Sequence, residues 1–193
     1  MKHRWLALAL IPLWMVMAAA QAVPPSRLIT KNSVGPVRLG MTVAQVRKAL
    51  PQARLARTTE GDGIAMIEVK QGTAVEMVLY AGEVDPEGPI AERARVEVIS
   101  VLGGNFSTDE GVHPGMLLRD VERIYGKLVK LTRSDIESHE HAVLARHPAG
   151  LSFKVELPEI GLAGKYPPGR SETRVYAPSA VVRRIEVDGR SAP

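Results

Sequence analysis

Glu137, His139 and His141 alternate along the chain. On a strand all three would point to one side, and two imidazoles with a carboxylate form a ligand set for zinc. A fourth ligand would have to come from His147, across a turn. Accidental His pairs are common, so the spacing alone predicts no metal site. Glu137, His139 and His141 define an alternative reading, a small metal-dependent hydrolase using His139 and His141. Ser107-Thr108-Asp109-Glu110 brings hydroxyls beside carboxylates, but this pattern reads first as an Asx- or Ser/Thr-type turn. His113 reads as a polar surface residue, and Glu83, Asp85, Glu87 and Glu92 as a solvated acidic loop. The chain has no Gly-x-Ser-x-Gly, His-Glu-x-x-His or phosphate loop. It also has no Cys, so neither a thiol nucleophile nor a disulfide framework is available. No catalytic residue and no cofactor are predicted.

The elements that would position these groups come in two similar sets. Gly40-Met41-Thr42 opens one amphipathic stretch and Gly115-Met116 another, 75 positions later. The same shift pairs Val37 with Val112, Val46 with Val121 and Leu50 with Tyr125, the signature of a duplicated unit. In the first copy Thr42 and Gln45 have the spacing of a capping box. Val43, Val46 and Leu50 then recur at helical spacing until Pro51 stops the helix. In the second copy Leu118, Val121, Ile124 and Tyr125 form the stripe and Gly126 the stop, but Leu117 stands where the Thr cap stood. Gly40 and Gly115 permit a tight turn before each helix, and Met41 and Met116 are expected to plug the core beneath.

Each predicted helix is followed by short β-branched segments separated by Gly-containing turns, the pattern of an antiparallel meander. The first set covers 55–59, 64–70, 74–80 and 96–102, and the second 128–133, 142–146, 151–157 and 181–187. In 151–157 the residues Leu151, Phe153, Val155 and Leu157 alternate with Ser152, Lys154 and Glu156, as in a sheet with one wet face. Leu28 and Ile29 are expected to add to a sheet edge. The predicted class is α+β: two tandem units, each a helix packed on an approximately four-stranded antiparallel sheet, over 23–104 and 105–193.

Residues 1–22 read as a signal peptide. Lys2, His3 and Arg4 precede an apolar run, and Ala20-Gln21-Ala22 predicts cleavage after Ala22. Lys2 and Arg4 leave with it, so 23 of the 25 basic residues face 21 acidic ones. A net +2 is no nucleic-acid signature. With no Cys for a lipid, no membrane anchor remains after cleavage, and a soluble periplasmic or secreted protein is expected.

The Gly-Met-Thr entry into an amphipathic helix, in an exported chain, resembles two related groups. One is the SmpA/OmlA type of small outer-membrane lipoprotein, with a single such unit. The other is the β-lactamase inhibitory protein family, whose fold is two tandem units. The duplication is more similar to the second, although the Cys residues of both groups are absent. Phe106-Ser-Thr108-Asp-Glu110-Gly111 with Tyr125-Gly126 also resembles a pattern of uncharacterised exported proteins.

Between Ile99 and Ile185 the shift grows to 86, so the second unit carries about eleven additional residues, mostly in the loop 159–180. That loop holds Tyr166, Arg170, Arg174 and Tyr176, residue types that anchor interfaces. The reading is a non-enzymatic binding or inhibitor-like module of the cell envelope. Its expected partner is another envelope or secreted protein, met through this loop.

Overall fold

The computed structural model describes residues 23–60, 63–103, 105–134 and 139–189. The expected signal peptide lies outside them. The described chain enters through a 3-10 turn, Pro25–Arg27, and then folds on itself. Strands β1 (Ile29–Thr30), β2 (Ser33–Val34) and β3 (Val37–Arg38) form a small antiparallel meander. Of the two residues expected to add to a sheet edge, Ile29 does so in β1, at the edge of this small sheet. Leu28 makes a parallel bridge to Ser107 and accepts Gly35 N at 2.9 Å, while Ile29, Val34 and Val37 turn into the core.

Helix α1 (Val43–Ala49) begins as its sequence predicts. Thr42 Oγ1 accepts from Gln45 N at 3.3 Å, and Gln45 Oε1 accepts from Thr42 N at 2.8 Å. Helix α2 (Leu118–Tyr125) has no side-chain cap. Its Leu118 amide is satisfied from elsewhere, donating to Ala180 O at 2.9 Å. Both helices bury one stripe: Val43 and Val46 in α1, and Leu118, Val121 and Tyr125 in α2.

After α1 come β4 (Arg54–Thr59), β5 (Ala65–Gln71), β6 (Ala74–Tyr80) and β7 (Val98–Val101). After α2 come β8 (Leu128–Arg133), β9 (Glu140–Leu144), β10 (Leu151–Glu156), β11 (Glu172–Thr173) and β12 (Val181–Val187). They pair antiparallel throughout in one nine-stranded sheet, order β11-β8-β9-β10-β12-β7-β6-β5-β4. The protein is thus a mixed helix-and-sheet fold dominated by antiparallel strands. β9 starts and ends two residues earlier than predicted, because Arg146 N turns to Tyr125 O and His147 N closes on Leu144 O. β11 carries no pattern of its own and exists only by pairing with β8.

Two sets of contacts tie the helix entries to the sheet. Gly40 N donates to Val96 O (2.7 Å), Val96 N to Met41 O (2.8 Å) and Val43 N to Ala94 O (3.0 Å). In the other half Gly115 N donates to Val182 O (2.7 Å), Val182 N to Met116 O (2.8 Å) and Leu118 N to Ala180 O (2.9 Å). Gly40 (φ 80°) and Gly115 (φ 91°) adopt the left-handed region that makes this turn possible. No heavy atom outside the neighbouring residues lies within 4 Å of where a Cβ would sit on either, so the requirement is conformational rather than one of space. Met41 and Met116 are half-buried against the core rather than sealed within it.

β7 and β12 join the two strand sets with Ile99↔Val187, Ser100↔Glu186 and Val101↔Ile185 in register. Ile99, Val101, Ile185 and Val187 are fully buried, as are Val34, Val43, Val121 and Phe153 on the same side. Gly115→Val should cost about 1–3 kcal/mol, because a β-branched residue is forced into positive φ. Arg119→Ala changes an exposed position of α2 and should cost under about 0.5 kcal/mol. Urea denaturation midpoints of the two variants provide the comparison.

Candidate functional site

Alternation along β10 and β12 sends Phe153, Val155, Val182 and Ile185 to the helix side and Lys154, Glu156, Arg184 and Glu186 to the other face. There Lys154, only 4% exposed, lies 3.0 Å from Glu186 Oε1, and Ser100 Oγ approaches the same oxygen at 3.4 Å. Glu60, just past β4, reaches this face and pairs with Arg184 (3.2 Å) and with His139 Nε2 (3.3 Å). β4 and β9 are six places apart in the strand order, so the sheet must curve strongly to bring these two positions together. His139 Nδ1 lies 3.7 Å from Glu156, which also faces Arg183 at 3.8 Å. Burial pushes the Glu60 carboxyl up, but the hydrogen bond from His139 and the charges of Lys154 and Arg184 outweigh it, holding it below the ordinary value of 4.5.

His139 and His141 share this face yet take different partners, since His141 Nδ1 lies 3.3 Å from Ser152 Oγ. Glu137 lies outside the described residues. Among the described residues no group of three or more His, Cys, Asp and Glu side chains is placed to hold a metal ion. The His141–Ser152 separation is that of a base and nucleophile. However, Ser152 sits within β10, whose backbone is paired to β9 and β12. Amides engaged in a ladder are not free to form an oxyanion hole. His147 is committed at both nitrogens, Nδ1 to Leu144 N (3.4 Å) and Nε2 to Leu151 O (2.8 Å). His113 is half-buried, with Nδ1 2.8 Å from Pro114 O.

The long second loop is pinned by three of its four singled-out side chains. Tyr166 donates to Glu140 Oε1 at 2.7 Å, and the Arg133 guanidinium lies 5.4 Å from its ring centre. Tyr176 donates to Glu122 Oε2 at 2.8 Å, and Arg174 Nε to Val129 O at 2.8 Å. Arg170 stands exposed. Sequence reasoning missed the two acceptors. Glu140 is only 3% exposed and also accepts the amides of Ala163 and Gly164. Glu122 accepts Leu128 N as well (2.7 Å). Burial, together with its hydrogen bond to Glu122, pushes the Tyr176 hydroxyl up to about 12. Burial and the carboxylate of Glu140 likewise raise Tyr166.

Two sequence features resolve as internal ties. Tyr125 donates to Glu110 Oε2 at 2.7 Å and lies 2.8 Å from Thr108 Oγ1, so the segment before α2 is tied to the last residue of that helix. Thr108 and Glu110 are thereby structural ties. In the acidic loop Glu83 is not simply solvated. It takes Arg57 in a two-pronged pair (2.6 and 2.9 Å) and Ala91 N at 2.7 Å. Asp85 accepts the amides of Glu87 and Gly88, and Glu92 meets Arg47 at 2.9 Å. None of these acidic groups is matched to Arg170 or Arg174.

Tyr166→Phe should lower stability by about 1–3 kcal/mol, because it leaves a buried carboxylate one donor short. Circular-dichroism melts would measure it, with exposed Arg170→Ala as the neutral control. The pH dependence follows from Glu60, Glu83, Glu110 and Glu122, all held below 4.5 in the fold. Their stabilisation is complete above the unfolded value and is lost as pH falls through the folded values. The melting temperature should therefore be flat from neutral pH to about pH 5.5 and fall below about 4.5, with a shallower fall in Glu83→Gln.

Neither a protein-family model nor a curated protein matches the sequence. Among solved structures the chain is similar to the uncharacterised protein YfeY of Escherichia coli, with a TM-score of 0.56 and 19% identity. The likeness covers 83% of this chain and 99% of that one, and is one of fold.

Proposed function

We propose that this chain is an exported binding module of two tandem units that docks another envelope or secreted protein through its long second loop. The tandem reading is supported by the repeated contacts at the helix entries. Val96 and Ala94 in one half do what Val182 and Ala180 do in the other, at the same separation of 86 residues that divides Ile99 from Ile185. Such a two-unit layout is also what the resemblance to the β-lactamase inhibitory proteins implies.

One observation carries the binding role. The loop is held in place by Tyr166, Arg174 and Tyr176, yet it displays Ile160 and Val175 fully or largely to solvent, with Leu162 and Arg170 also exposed. A segment ordered in advance loses little entropy on binding. Exposed apolar side chains on such a support are what a partner would bury. The two tyrosines, expected as contact residues, serve in this reading as the posts that hold the contact residues. The charged face of β9, β10 and β12 has its groups largely in internal pairs, and no assembled catalytic set supports an enzymatic reading.

The test is capture from native envelope extract by wild-type protein and by an Ile160→Asp/Arg170→Ala double variant. Loss of anchor residues at an interface costs about 2 kcal/mol or more each, so recovery of the specific partner should drop by at least about tenfold at unchanged melting temperature. Equal recovery by the two proteins would overturn the loop as the interface.

A further inference from the structure

The nine-stranded sheet has two outer strands, β11 and β4. β11 is only two residues long, and beside it Arg174 Nε occupies Val129 O on β8. β4 is six residues long and pairs with β5 in unbroken register, from Arg54↔Lys70 to Thr59↔Ala65. The turn that ends it shows which peptide groups face outward. Glu60 N donates to Ile64 O at 3.2 Å, in the same register. Antiparallel pairs alternate between bonded and unbonded, so Arg54, Ala56 and Thr58 direct their N–H and C=O groups to β5. Those of Leu55, Arg57 and Thr59 point away from the sheet. Among the described residues none donates to or accepts from these outward groups.

Outer strands are ordinarily guarded by Pro, by a bulge or by a charge that meets the incoming chain. β4 has no Pro and no register shift against β5. Arg57 shares the helix side with buried Leu55. Its charge is taken there by Glu83 at 2.6 and 2.9 Å, and the carbonyls of Gly88 and Pro89 accept from it. Val84, 94% exposed, lines one concavity with Arg57 and leaves apolar surface beside the strand.

The outward groups fall on three alternate residues centred on Arg57, so an identical strand running antiparallel meets them one for one. Leu55 then stands against Thr59 of the second copy, and Arg57 against Arg57, each neutralised by its own Glu83. On the opposite face the same register sets Ala56 against Thr58 and Arg54 against Glu60, a small pair and an opposite-charge pair. Arg54 is exposed, and Glu60 meets Arg184 and His139 through Oε1, leaving Oε2 for a further cation.

We propose that β4 is an interface with a second copy of this chain, the two β4 strands pairing antiparallel about Arg57 so that one sheet runs through both copies. It uses residues different from those of the long loop, so the two interfaces can fail separately.

The purified protein is followed by sedimentation equilibrium and by amide hydrogen exchange over a range of concentrations. The mass should rise from that of one chain toward that of two. Over the same range the amides of Leu55, Arg57 and Thr59 should gain at least about tenfold protection, while those of Ala56 and Thr58 are protected throughout. Thr59→Pro removes an outward N–H without touching the β5 ladder, and Arg54→Glu sets like charges against Glu60. Each should weaken association at least about tenfold. The mass of one chain up to about 1 mM, association undiminished in Arg54→Glu, or association that leaves the three amides unprotected would each overturn the proposal. Protection of those amides by envelope extract, without self-association, would assign the edge to a different protein and overturn it as well. If Thr59→Pro does not fold, Arg54→Glu and the exchange pattern of the unaltered protein decide the matter.

Discussion

The ladder between β7 and β12 joins two strands whose other edges are already taken, β7 by β6 and β12 by β10. It converts what would be two exposed edges into the middle of one sheet, and exposed edges are aggregation hazards. Its inward side chains, Ile99, Val101, Ile185 and Val187, lie at the centre of the shared core. Its outward side holds Ser100 opposite Glu186, with Lys154 on the neighbouring strand. Lys154 and Glu186 thus form an ion pair that the seam has taken largely out of water. The helix entries are received just before the ladder begins, at Val96 ahead of β7 and at Val182 in β12.

Around this seam the loops are held by buried or half-buried carboxylates rather than by disulfides or a large aromatic core. Glu83 gathers Arg57 and the Ala91 amide, Glu140 gathers two amides and Tyr166, Glu122 gathers Leu128 N and Tyr176, and Glu110 takes Tyr125. A charge-assisted hydrogen bond is about twice as strong as a neutral one. A carboxylate with several donors can therefore anchor an irregular segment that buries little apolar surface. This arrangement leaves the loop's own apolar residues free to face outward, which is the basis of the binding role proposed for it.

The sequence determined by itself what depends on near neighbours. Thr42 and Gln45 lie within one helical turn, so the capping box was legible, and Gly40 and Gly115 announced their positive φ. Strands β5, β6 and β10 were visible from alternation, because each presents one face to the core, and β4, β8 and β12 from β-branched segments between turns.

Only the tertiary structure decided what depends on distant partners. β11 exists because the β8 edge was vacant, and β1 to β3 form a separate meander because two-residue strands leave no periodic trace. Tyr166 and Tyr176 carry no sign in sequence that they turn inward, since Glu140 and Glu122 lie 26 and 54 residues away. Nor does local spacing tell that His139 faces Glu60, 79 residues away. Local propensity is written along the chain, whereas the choice of partner for a polar side chain is made by the curvature and register of the assembled sheet.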